Sequence, residues 1–199
     1  MRLSVRHRNN RKDTVIFMEP LTSNHDSKLS WVQPKTFERQ FELRAGGKLF
    51  GTLRLEKALG TLATAHAATG TWTFKRSGFL NPRVTVREAG GETDAAVFWP
   101  RVWGGGWLDY PTGKRFQWKS MNFWGSAWAF TGMQGETVFT MRPGSEESRL
   151  SDLLKNQALV DVDAHAYDLT ELPLLLMLGW YLMIMQHEES TAGAVAAIS

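Results

Sequence analysis

The chain of 199 residues contains no cysteine. It therefore has no disulfide framework, no thiolate metal site and no cysteine nucleophile. Long apolar runs are almost as scarce. The one that stands out, from Leu172 to Met185, is fourteen residues long and broken only by Pro173 and Gly179. As a helix it would reach about 21 Å, short of the ~30 Å hydrocarbon core of a bilayer. A helix buried inside protein is the expectation. No apolar stretch of signal-peptide length follows the cluster Arg2, Arg6, Arg8, Arg11 and Lys12, so the reading is a cytoplasmic chain without a secretory leader. Catalytic signatures are missing too. The five histidines (His7, His25, His66, His165 and His187) are scattered without ligand-like spacing, and no Gly-x-Ser-x-Gly turn is present. Neither an enzyme nor a cofactor is expected.

What is present is apolar, aromatic and unevenly charged. Hydrophobic residues make up 43% of the chain and aromatics 12%, which excludes a disordered polymer, while the varied composition excludes collagen and coiled coil. A net charge of +3 and a pI near 9.3 hide a segregation. Residues 1–35 carry seven Lys/Arg against three acids, residues 36–142 fourteen against eight, and residues 143–199 two against nine. The front is basic and the rear acidic. Clustered arginines in the arm can hold phosphates without specificity, but no specific nucleic-acid partner is expected, because the strand aromatics fall on apolar faces.

From about residue 36 a period of two dominates. Phe37, Arg39, Phe41 and Leu43 alternate with Glu38, Gln40, Glu42 and Arg44. Trp72 and Phe74, Val84 and Val86, Phe116 and Trp118, and Trp128 and Phe130 follow the same rule, punctuated by glycine turns. These are strands buried on one face. With no amphipathic helix among them, a parallel βαβ sheet is excluded. Trp72-Thr-Phe74-Lys75 and Phe116-Gln-Trp118-Lys119 match at an offset of 44 residues, as do Ala45-Gly46-Gly47 with Ala89-Gly90-Gly91, and Gly91-Glu92-Thr93 with Gly135-Glu136-Thr137. At about eleven residues per strand and turn, that unit is four strands. Three such units are too few for a propeller. The C-terminal run, apolar on every side of a helical wheel, must be surrounded. An eight-stranded barrel would be filled by its own side chains, whereas one of about twelve can enclose a helix. The expected fold is thus mainly β: a closed antiparallel barrel of about twelve strands around a C-terminal helix. The expected division is a basic, flexible arm at 1–30, the barrel at 31–187 with its helix at 171–186, and a disordered tail at 188–199.

Gly70-Thr-Trp72-Thr-Phe74-Lys75-Arg76, Val84-Thr-Val86-Arg87-Glu88, Phe116-Gln-Trp118-Lys119 and Leu172-Pro-Leu-Leu-Leu-Met-Leu-Gly179-Trp180 follow one another in an order that resembles the tubby-like fold. The branch it resembles holds phospholipid scramblases, plant LURP-one-related proteins and prokaryotic relatives. The resemblance implies twelve strands around the helix and a relation to phospholipid surfaces. The chain departs from the scramblases in having no cysteine cluster, and the phosphoinositide-binding positions of tubby proteins find no residue-by-residue match.

Arg83, Arg87, Arg115 and Lys119 alternate with Val84, Val86, Phe116 and Trp118, and so lie on polar strand faces. On neighbouring strands they would form a patch for anionic lipid; otherwise they are a solvated exterior. Asp161, Asp163 and His165 share one strand face, a conceivable metal site, but Val160, Val162 and Ala164 make the same pattern an ordinary half-buried strand. No metal is expected there. Trp99, Trp103, Trp107, Trp124 and Trp128 gather around Gly104-Gly105-Gly106. They read as core aromatics beside a flexible turn, with an exposed rim that dips into a membrane interface as the alternative. The functional expectation is a monomeric, non-enzymatic domain that binds an anionic membrane surface peripherally. A protein-interaction module without lipid binding is the runner-up, and a ligand carrier or enzyme at the barrel mouth the third reading.

Overall fold

The computed structural model describes residues 4–5, 16–22, 28–36, 38–57, 60–78, 80–102, 104–144 and 157–196. Phe37, Phe79 and Trp103, with the arm cations Arg2, Arg6, Arg8, Arg11 and Lys12, lie outside them. Alternating side chains produce alternating burial, as in β4 (Gln40–Ala45), where Phe41, Leu43 and Ala45 point inward. The same rule runs through β3 (Leu29–Val32), β6 (Ala63–Ala67), β7 (Gly70–Ser77), β8 (Arg83–Glu88), β9 (Ala96–Pro100), β10 (Gly106–Asp109), β11 (Arg115–Ser120) and β14 (Ala158–Val162). In β5 (Lys48–Leu55), β12 (Trp128–Thr131) and β13 (Thr137–Pro143) neighbouring residues are buried in succession. Each of the twelve strands pairs antiparallel with the next, and β14 closes on β3 through Ala158↔Trp31, Leu159↔Ser30 and Val160↔Leu29. The result is a closed up-and-down barrel of twelve strands. Closure removes the unpaired edges that an open sheet would expose.

Helix α1 (Leu172–Ala196) enters this barrel after a 3-10 turn at Ala164–Asp168. Every residue from 172 to 182 is buried. Side chains reach it from around the wall: Trp31 of β3 stacks on Trp180 at 5.7 Å, Phe41 of β4 meets the same indole edge-on at 5.5 Å, and Phe74 of β7 lies 5.5 Å from Tyr181. On the far side Gly179 lets the helix approach Phe139 of β13 and Trp118 of β11, where an added Cβ would stand 3.1 and 3.3 Å from their rings. The Tyr181 hydroxyl donates to the Thr61 carbonyl at 2.7 Å, so its one polar atom is satisfied within the wall. A helix about 10 Å across fills the lumen, as the barrel diameter allows.

The 44-residue offset is four strands. It carries β7 onto β11, and the β4–β5 turn onto the β8–β9 turn and then the β12–β13 turn. Two boundaries differ from expectation. The helix does not stop at 186; it runs to Ala196, through the segment expected to be a disordered tail. Glu188 and Glu189 pair with Arg39 and Arg76 at the barrel mouth and tie down its outer turns. The arm also ends earlier than expected. Leu29 opens the barrel, and Met18 is buried against Leu49 and Ala68, with the Glu19 amide donating to the Leu49 carbonyl at 2.8 Å. Further out, β1 (Ser4–Val5) and β2 (Ile16–Phe17) pair as a short ribbon.

Because the chain turns after every strand, successive turns alternate between the two ends of the barrel. Turns after odd-numbered strands share the end where the outer part of α1 emerges, the exit end. Turns after even-numbered strands share the end where α1 begins, the entry end. This alternation decides what meets what.

Candidate functional site

The four expected basic residues divide between two strands that are not neighbours. Arg83 and Arg87 lie on β8, Arg115 and Lys119 on β11, with β9 and β10 between. At about 4.8 Å per strand the two pairs stand roughly 14 Å apart. Two of the four are also engaged. Arg115 makes a double hydrogen bond to the Asp109 carboxylate at 2.5 and 3.0 Å, which raises its already high pKa. Arg87 donates to Asp94 at 2.7 Å. Both partners follow from hairpin geometry. The β10–β11 turn, closed by the Tyr110 amide on the Lys114 carbonyl at 2.9 Å, sets Asp109 directly opposite Arg115. A carboxylate facing an arginine across a glycine turn is a signal visible in the sequence. One uninterrupted four-residue patch does not form.

Arg83 and Lys119 stand at the exit end, and register identifies their neighbours. The inward row Val84–Phe98–Leu108–Phe116 crosses four strands. One residue toward the exit end, the outward row holds Trp99 paired with Trp107, and Arg83 falls level with Trp99. Arg101 follows Pro100 at the end of β9, with its guanidinium 5.6 Å from the centre of the Trp107 ring. Arg115 approaches the same indole at 5.1 Å, so the ring is flanked by two cations. Lys119 falls level with Gly105, which leaves a gap in the wall where a side chain would otherwise stand. Gly105 is held at φ +69°, and a Cβ there would collide with the Trp118 carbonyl. Arg101 carried no signal in the strand alternation, because it belongs to a turn.

One sector of the exit end is free of acids. The exit-end segments 75–84, 97–108 and 116–131 contain Lys75, Arg76, Arg83, Arg101 and Lys119 and no acidic residue. The entry-end turns hold Glu88, Glu92 and Asp94 after β8, Asp109 at the end of β10, and Glu136 before β13, while Glu38, Glu56, Glu188 and Glu189 stand at the exit end outside that sector. At the foot of the helix Lys114 pairs with Glu171 at 2.7 Å. Burial works to raise the Glu171 carboxyl, but the Lys114 hydrogen bond and charge, with help from its own backbone and Thr170, leave it below its ordinary value.

The tryptophans expected in the core part company. Trp128 stacks on Trp118 at 5.6 Å and donates to the Gly125 carbonyl. Trp99 and Trp107 face outward, and Trp124 is 85% exposed. The core reading therefore fails for Trp99, Trp107 and Trp124, since strand parity turns the first two outward and the third rides on a loop. Asp161 faces Arg142 at 3.7 Å, and Asp163 lies 2.6 Å from His165 Nδ1 and accepts its backbone amide. Among the described residues no group of three potential ligands gathers. No helix of the described residues is long and apolar enough to cross a membrane. Comparison of the chain with known protein families, curated proteins and solved structures finds no match.

Proposed function

We propose that the protein is a non-catalytic domain that attaches peripherally to anionic phospholipid surfaces through the exit end of its barrel. The observation that carries this is one sector of the exit end, the segments around the turns after β7, β9 and β11, which hold Lys75, Arg83, Arg101 and Lys119 and no acidic residue. A basic side chain near an anionic leaflet contributes about 1 kcal/mol. Four give about 4 kcal/mol, or roughly a thousandfold in partitioning. The acid-free sector also gives the molecule a direction, because it is the face that an anionic surface attracts.

The enclosed helix supports the non-enzymatic reading, since α1 occupies the lumen where a carrier or enzyme of this shape would place its ligand. The tubby-like assignment belongs to the same proposal. A twelve-stranded closed barrel around a C-terminal helix is the plan that resemblance implies. The test is co-sedimentation with phosphatidylcholine vesicles, with and without phosphatidylserine, at low and high salt. Binding is expected only with phosphatidylserine, weakened by salt, and weakened further in Arg83→Glu/Lys119→Glu. Equal binding to neutral vesicles, or none to either, overturns the reading.

A further inference from the structure

The exit end is apolar as well as basic. Among the described residues, every exposed large hydrophobic side chain except Phe17 on the N-terminal ribbon and Met133 in the β12–β13 turn lies at this end. Four of them are almost wholly in water: Leu80 after β7 at 92%, Val102 after β9 at 95%, and Phe123 and Trp124 after β11 at 93% and 85%. Three successive exit-end turns thus each offer an apolar tip, spaced about 10 Å apart because two strands separate neighbouring turns.

The β11–β12 loop is built to hold its tip out. Asn122 donates from Nδ2 to Ser126 Oγ at 2.8 Å and accepts the Ser126 amide on Oδ1 at 3.0 Å. Its carbonyl accepts from Ser120 Oγ at 2.5 Å and from the Gly125 amide at 3.3 Å. The Met121 amide reaches the Ala127 carbonyl at 2.8 Å, and Trp128 Nε1 anchors Gly125. Phe123 and Trp124 meet edge to face at 5.4 Å on top of this frame. With its base held by these bonds, the loop needs little further ordering to enter a less polar phase.

From this we infer that the exit-end tips after β7, β9 and β11 insert into the interfacial layer of a bilayer, with the Phe123–Trp124 pair leading, so that this sector of the rim faces the surface. The inference rests on the lipid reading above and specifies how the surface is engaged. Charge complementarity selects the occupant. The segments that carry the tips hold Lys75, Arg83, Arg101 and Lys119 and no acid of their own, which matches an anionic leaflet. Trp, Phe and Leu at a cationic border are the residues that settle at headgroup depth. A fluid lipid surface adapts to tips that stand on three separate turns.

The absence of cysteine makes the test direct. Phe123→Cys, Val102→Cys and, as a control at the opposite end, Met133→Cys each carry one environment-sensitive fluorophore on the full-length chain. With phosphatidylcholine–phosphatidylserine vesicles containing a shallow-depth spin-labelled lipid, labels at 123 and 102 are expected to shift to the blue and be quenched. The label at 133 is expected to change in neither respect. The unlabelled double variant Phe123→Ser/Trp124→Ser is expected to partition about tenfold more weakly with an unchanged thermal midpoint. Sedimentation with the vesicles but no quenching at 123 or 102 overturns insertion and leaves electrostatic attachment standing. Equal quenching at 133 overturns the assignment of this sector as the inserted face. No sedimentation at all overturns both.

Discussion

Truncation along one stretch of α1 tests whether the barrel surrounds its helix. Leu174, Leu175, Leu176 and Met177 point in four directions about 100° apart on the helical wheel. None is more than 5% exposed. A helix lying on the outside of a sheet would leave at least one of the four in water, where truncation costs less than about 0.5 kcal/mol. An enclosed helix loses packing in every direction. Each of Leu174→Ala, Leu175→Ala, Leu176→Ala and Met177→Ala is then expected to cost about 2–5 kcal/mol, the range for deleting a buried side chain of this size into a wall that relaxes only partly. For a domain of this length that corresponds to a fall in Tm of roughly 4–20 °C. Urea titration should move the midpoint with little change in slope. One position costing under about 0.5 kcal/mol while its neighbours cost more than about 2 would refute enclosure, because that is the signature of a helix with a wet face.

Other expectations concern single atoms. Gly51→Ala is expected to destabilise by about 1–3 kcal/mol, since the new Cβ overlaps the Met177 methyl and stands 2.9 Å from the His66 carbonyl, which cannot yield; an unchanged urea midpoint would contradict this. Thr131 is 1% exposed and its hydroxyl has no partner among the described residues, so Thr131→Val is expected to raise stability by about 1 kcal/mol, read as an increase in Tm. Burial pushes the Tyr181 hydroxyl up to about 12 from an ordinary 10.0, against the smaller downward pull of its hydrogen bonds and of Arg76. Its stabilising contribution is whole below pH 10, where the unfolded chain too is neutral, and is lost as pH rises through about 12. Tyr181→Phe is therefore expected to flatten the decline of Tm across that window, and an equally steep decline would remove Tyr181 as its cause.

Much of the wall was readable from side-chain order, because a strand's alternation and a helix's all-round apolarity are local properties. Val84 and Val86, and Phe116 and Trp118, face the core as their period of two requires. The misreadings arose where register or distance along the chain intervenes. Arg115 reads as a free cation until the β10–β11 hairpin sets Asp109 across from it. Glu188 and Glu189 read as part of a tail until α1 brings them to Arg39 and Arg76, more than a hundred residues earlier in the chain. Leu80, Val102 and Phe123 carry no periodic signal, being turn residues, and only their common end gives them meaning.

Local chemistry alone determined that this is a barrel-forming chain with a helix that cannot face water. Neither the missing cysteine nor the alternating strands could say which turns share an end. That depends on strict up-and-down connection and on closure of β14 upon β3, which place every second turn on one side. The tertiary structure thereby gathers the acid-free segments around the turns after β7, β9 and β11 into one basic, apolar sector of the exit end. The physical reason is that side-chain period is fixed within a few residues, whereas the meeting of these turns at one end is fixed only when the ring of hydrogen bonds is complete.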